Sequence, residues 1–146
     1  MKFITAIENI LQTLWVGGLW VIGYLVAPIL FANLDERRLA GELAGHMFTA
    51  IYYIGLVCGG VLLILALWRA GASWLKDLRI IALVLMLALI LVSVLGLQPM
   101  MQELKQAGLT PGSETAARFG MLHGVSSILY LLTSLLGLFL VVYRRH

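Results

Sequence analysis

Charge is what this sequence has least of. Only 12% of its 146 residues are Asp, Glu, Lys or Arg, against roughly a quarter in a soluble domain. Hydrophobic residues make up 62%, and the mean hydropathy is +1.00. A water-soluble fold of this size has too little polar surface to cover that much apolar material, so a soluble globular domain is excluded. Cysteine is nearly absent too. Cys58 stands alone, which rules out an intrachain disulfide, and a thiol inside an apolar stretch behaves as a small hydrophobe. No Gly-rich loop follows a strand pattern, so a phosphate-cradling loop has no support. No HxxxH, CxxC or Met-x-x-Met spacing is present. A net charge of +3 spread over helix ends suits lipid headgroups, and without a basic stripe it gives no reason to expect nucleic acid.

What is present is a set of long intervals between charges. Glu8 to Asp35, Glu42 to Arg69, Arg79 to Glu103 and Arg118 to Arg144 enclose uncharged stretches of 26, 26, 23 and 25 residues. About 20 apolar residues suffice for a helix to cross a hydrocarbon core. The expectation is one all-α domain over 1–146, an integral membrane four-helix up-down-up-down bundle with helices near 9–34, 43–68, 80–102 and 119–143. The first stretch is too long for a signal h-region, and Glu8 stands where that region would begin. It reads as a retained helix.

Connections are short, which places successive helices antiparallel. Gly71 breaks the second link; Gly108, Pro111 and Gly112 make the third a loop, with Ser113 or Thr115 capping helix four. Lys2, Arg69, Lys76, Arg79, Arg144 and Arg145 fall on one side, and Arg37, Arg38, Lys105 and Arg118 on the other. The bias points to both termini being cytoplasmic in a bacterial inner membrane. Trp68, Trp74 and Tyr143 fit an interfacial aromatic belt at that side.

Membrane helices associate through small residues and interhelical polar bonds, because lipid is as apolar as leucine. Gly55 and Gly59 form a GxxxG on helix two. Gly17, Gly18 and Gly23 thin helix one. These Gly-rich faces are candidates for helix packing, or for homo- or hetero-oligomers. On helix four, Phe119, His123, Ser126, Ser127, Tyr130, Ser134 and Gly137 fall on one face, expected to point into the bundle.

Ionisable residues inside spans are functional hypotheses by default. His46 and His123 both lie roughly 6–8 Å from a helix end on the outer side, and His146 ends the chain. Met47, Met100, Met101 and Met121 cluster at the same level. Imidazole with thioether suits copper, and two facing histidines suit a haem iron, with Gln98 or Glu103 orienting a histidine. Pro28 and Pro99 can break helices near that side and free carbonyls. His123 with Ser126 or Ser127 lacks the orienting carboxylate and oxyanion hole of a hydrolase. The leading expectation is a non-enzymatic protein whose outer-side pocket, formed by His123, Ser126, Ser127, Tyr130, Gln98 and Pro99, binds a small ligand or partner. A copper- or haem-handling protein and a structural accessory subunit assembling through Gly55 and Gly59 are the alternatives.

Two segments carry a resemblance. Trp15-Val-Gly-Gly-Leu-Trp-Val-Ile-Gly-Tyr-Leu-Val-Ala-Pro-Ile-Leu-Phe31 and Phe119-Gly-Met-Leu-His-Gly-Val-Ser-Ser127, with Pro99, resemble a bacterial membrane family of unknown function related to the TMEM-two-hundred-and-five type of eukaryotic transmembrane protein. More distantly the chain is similar to the superfamily of copper-resistance protein D. That likeness implies copper or haem, with His123 in the matching motif and His46 outside it.

Overall fold

The computed structural model describes residues 2–143, excepting the side chains of 72–74. The expectations placed on Trp74, Arg144, Arg145 and His146 lie outside that description. Four helices run over Lys2–Asn33 (α1), Arg37–Ala70 (α2), Leu78–Ala107 (α3) and Glu114–Val142 (α4), each long and apolar enough to cross a bilayer. No strand occurs among the described residues. The chain is an all-α integral membrane four-helix bundle.

Each helix starts earlier than the charge-free stretch inside it, because a charge ends an apolar run without ending the backbone ladder. The true ends carry local signals. Asp77 caps α3 by accepting the Arg79 N–H at 3.0 Å, and Ser113 caps α4 by accepting the Ala116 N–H at 3.1 Å. These bonds satisfy donors that a first turn leaves open. Gly71 stops α2 at φ 55°, and the 3₁₀ turn Gly71–Lys76 leads into α3.

Helix α1 packs on α2 and α4, and α3 packs on the same two helices. The order is therefore a square, with α1 and α3 on one diagonal. We call the end where α1 and α3 begin the terminal end and the opposite one the far end.

Two widened turns shape the far end. Ile22–Val26 in α1 and Ser93–Leu97 in α3 are single π-turns. Each closes with an i→i−5 bond, Ala27 N–H to the Ile22 carbonyl and Gln98 N–H to the Ser93 carbonyl. Pro28 and Pro99 follow at once. Proline has no N–H to give and its ring crowds the carbonyl four residues back. One extra residue in the turn makes room for it. Beyond the π-turns, Ala27–Asn33 packs on α2 and Gln98–Ala107 packs on α4. The far end thus forks into two helix pairs.

Between the ends lies a continuous core of Trp15, Leu19, Ile51, Tyr52, Met86, Ile90 and Tyr130. Trp15 is wholly buried and its indole lies in the notch made by Gly55 and Gly59. A Cβ added at Gly55 would come 2.5 Å from Trp15 Nε1, and one at Gly59 would come 2.7 Å from Trp15 Cη2. The GxxxG is thus filled from within its own chain. A second molecule docking on this notch would have to displace Trp15. Gly23 receives the Tyr130 ring and Gly18 receives Ile51. Gly17 is corrected as a packing position, since a Cβ there meets open space. The Tyr130 hydroxyl donates to the Leu19 carbonyl at 2.6 Å, tying α4 to α1 just before the π-turn.

Candidate functional site

At the terminal end α1 is polar on one side. Thr5, Glu8, Asn9, Gln12 and Thr13 recur at intervals of three and four residues, so a helix stacks them in one stripe. That stripe faces a cavity of about 600 Å³ whose wall also includes Ala66 and Arg69 of α2, Asp77 and Arg79 at the start of α3, and Leu140 and Val141 of α4. All four helices contribute.

Glu8 is only 4% exposed. Its Oε2 accepts from Arg69 Nη1 at 2.7 Å, the length of a charge-assisted bond. Burying a carboxylate without such a partner costs several kcal/mol, on the order estimated for desolvating an ion. The guanidinium of Arg79 donates from Nη2 to Gln12 Oε1 at 3.2 Å. These bonds run from α1 to α2 and from α1 across the diagonal to α3. They hold the terminal end together through polar contacts where the mid-bundle uses packing.

The far end is arranged differently from the sequence expectation. His123 and Ser127 are exposed, whereas Tyr130, Ser134 and Gly137 are buried. The expected single inward face of α4 is corrected accordingly: it holds from Tyr130 onward. The fork is the reason. Near its start α4 leans on the end of α3, where Leu122 packs with Leu97 and Met101, and this turns His123 onto the open flank. There it stacks on Phe119, ring centroids 6.1 Å apart, and the Ser127 hydroxyl donates to the His123 carbonyl at 2.9 Å. Ser126 is half-buried, beside the hydroxyl of Tyr52.

A groove of about 360 Å³ does exist at the far end, between α2 and α3. His46, Thr49 and Tyr53 face Gln98, Pro99, Gln102 and Lys105 across it. Gln98 and Pro99 are thus brought together with His46, while His123, Ser126, Ser127 and Tyr130 are not on its wall. The methionines scatter. Met101 is core, Met47 is half-buried, and Met100 and Met121 are exposed. Among the described residues no three His, Cys, Asp or Glu side chains are grouped to hold a metal.

The polar stripe of α1 was within reach of sequence reading. Counting charges alone made Glu8 a boundary, whereas the period of Thr5, Glu8, Asn9, Gln12 and Thr13 marks a helix face continuing into the span.

Residues 10–110, more than half of the chain, match the family model described as a domain of unknown function, DUF4149. The chain belongs to the DUF4149 family. The matched region takes in the first-helix motif Trp15–Phe31, the Gly55 and Gly59 notch, Arg69, Arg79 and both π-turns, and it ends before His123. Searches of curated proteins and of solved structures each found no match.

Proposed function

We propose that this DUF4149 protein is a membrane-embedded binding protein, that the terminal-end cavity takes a small polar ligand, and that this end faces the cytoplasm. The observation carrying this reading is the ion pair of the buried Glu8 with the partly exposed Arg69 on the wall of a cavity to which all four helices contribute. Charged groups inside a bundle face its interior and mark ligand or ion paths. The volume lies in the range of small-molecule sites, roughly 300–1,000 Å³. The far-end groove, where the outer-side pocket was expected, ranks second: it is smaller and walled by two helices. A copper or haem reading asks His123 to act with His46 or the methionines, and His123 lies off the groove that His46 lines.

The test uses detergent-purified protein screened by native mass spectrometry and thermal shift for retained or added small polar molecules. Thr13→Trp, at the cavity wall, should abolish binding. Val57→Trp, on an exposed mid-span face, should leave it intact. Equal binding by both variants would sink the reading. For orientation, single cysteines in the 108–113 loop should label from outside the cell; labelling from the cytoplasm alone would invert the assignment.

A further inference from the structure

We propose that the ligand of the terminal-end cavity is an oxyanion, a phosphate or carboxylate carried on a small apolar stem, and that Arg79 and Gln12 hold it. This rests on the cavity being the binding site and adds its chemical class.

The charge balance comes first. Among the described residues, Lys2, Arg69, Lys76 and Arg79 stand at the terminal end against Glu8 and Asp77, four positive charges to two negative, a net of +2. At the far end Arg37, Arg38, Lys105 and Arg118 stand against Asp35, Glu36, Glu42, Glu103 and Glu114, a net of −1. Among the described residues the positive excess lies at the end that holds the cavity of about 600 Å³, on whose wall Arg69 and Arg79 stand with Glu8 and Asp77. A net positive end draws anions toward it.

Within the cavity the groups have unequal partners. Glu8 is taken up by Arg69 at 2.7 Å. A cationic ligand would have to displace Arg69 and then face Arg79. Asp77 already caps α3. Arg79 is different: its guanidinium donates to a neutral amide oxygen, at a longer 3.2 Å, and it makes no ion pair with another described residue. A guanidinium forks two parallel bonds onto a carboxylate or phosphate with both partners charged, whereas the bond of Arg79 to Gln12 is single and has one charged partner. An arriving oxyanion therefore outcompetes Gln12 for Arg79. The released Gln12 amide then has two N–H donors to offer the same anion. Because Gln12 is on α1 and Arg79 on the diagonal helix α3, the anion would bridge the bundle where these two now bridge it directly.

The remaining wall sets the rest of the ligand. Ala66, Leu140 and Val141 line the same cavity and accept a short hydrocarbon portion. An anionic lipid headgroup and a soluble phosphate ester both fit this description, and the experiment separates them.

Full-length protein in neutral maltoside detergent is titrated with glycerol 3-phosphate, and in parallel reconstituted into phosphatidylcholine vesicles with and without phosphatidylglycerol. Thermal unfolding is the readout. A saturable upshift with glycerol 3-phosphate identifies a soluble oxyanion; an upshift confined to phosphatidylglycerol identifies the lipid. In either arm Arg79→Gln should weaken the effect about tenfold to a hundredfold, the loss expected for a charge-assisted bond. Arg79→Lys should keep part of it, retaining charge without the fork. Elution volume and the unliganded midpoint check that each variant folds. No upshift in any arm overturns the proposal. So does an upshift that Arg79→Gln leaves unchanged; if Thr13→Trp still abolishes that binding, the cavity reading stands and only the oxyanion class falls. Binding indifferent to Thr13→Trp as well removes both.

Discussion

Replacing Gly59 by alanine puts the packing argument at most risk, because its neighbour Gly60 supplies an internal control. A Cβ at Gly59 would meet Trp15 Cη2 at 2.7 Å, Leu87 Cδ2 at 2.8 Å and Trp15 Cζ3 at 2.8 Å. Leucine can rotate away. The indole cannot, since Trp15 is wholly buried and is flanked on the Gly55 side as well. Overpacking of this kind costs about 1–3 kcal/mol. The helix returns about 0.5–1 kcal/mol for losing a glycine, leaving a net destabilisation of roughly 1–2 kcal/mol. At Gly60 a Cβ meets open space, so Gly60→Ala should stabilise by about 0.5–1 kcal/mol on the propensity term alone. Reversible unfolding in mixed micelles should therefore separate the two variants by about 2 kcal/mol. A double-mutant cycle adds the cause: Trp15→Leu removes the clashing ring, so Gly59→Ala should cost much less in that background. Equal stability of Gly59→Ala and Gly60→Ala would show that Trp15 does not occupy the notch, and the helix arrangement would need redrawing.

Other variants test the polar ties. Glu8→Gln leaves Arg69 without its counter-charge and should lower stability by roughly 1–3 kcal/mol, less than a fully buried pair because Arg69 is partly exposed; adding Arg69→Met should recover a good part of it, and a double variant no better than the single would argue against the pair. Tyr130→Phe keeps the ring over Gly23 and removes the bond to the Leu19 carbonyl, so unfolding should show a loss of about 1 kcal/mol; no change would mean lipid or water replaces that donor. Pro99→Ala restores an N–H and lets α3 revert to a regular α-helix, which should alter hydrogen exchange at 93–101 while leaving the Trp15 core protected.

The architecture was legible because it depends on charge spacing. Four charge-free intervals of bilayer length leave an apolar chain few alternatives. The caps at Ser113 and the break at Gly71 were legible too, being local chemistry. The fork was not. Pro28 and Pro99 were visible as helix breakers, yet nothing local says which neighbour each segment keeps beyond its π-turn, and that choice is what turns His123 outward. The Gly55 and Gly59 notch was visible as a motif without its occupant, because a GxxxG accepts a ring of its own chain as readily as a second helix. The Glu8 cluster was hidden differently. Glu8 stands 61 positions from Arg69 and Gln12 stands 67 from Arg79, and each of Glu8, Arg69 and Arg79 by itself looks like an ordinary charge at a helix end.

Whether water and solutes reach the polar stripe of α1 from the terminal end is the point on which the functional account turns. In a Cys58→Ala background, Thr13→Cys should react with a membrane-impermeant thiol reagent added from the side of the termini, and glycerol 3-phosphate or phosphatidylglycerol should slow that reaction. Val57→Cys, on an exposed mid-span surface, should stay unlabelled. A Thr13→Cys as inert as Val57→Cys would contradict an open cavity among Glu8, Gln12, Arg69 and Arg79.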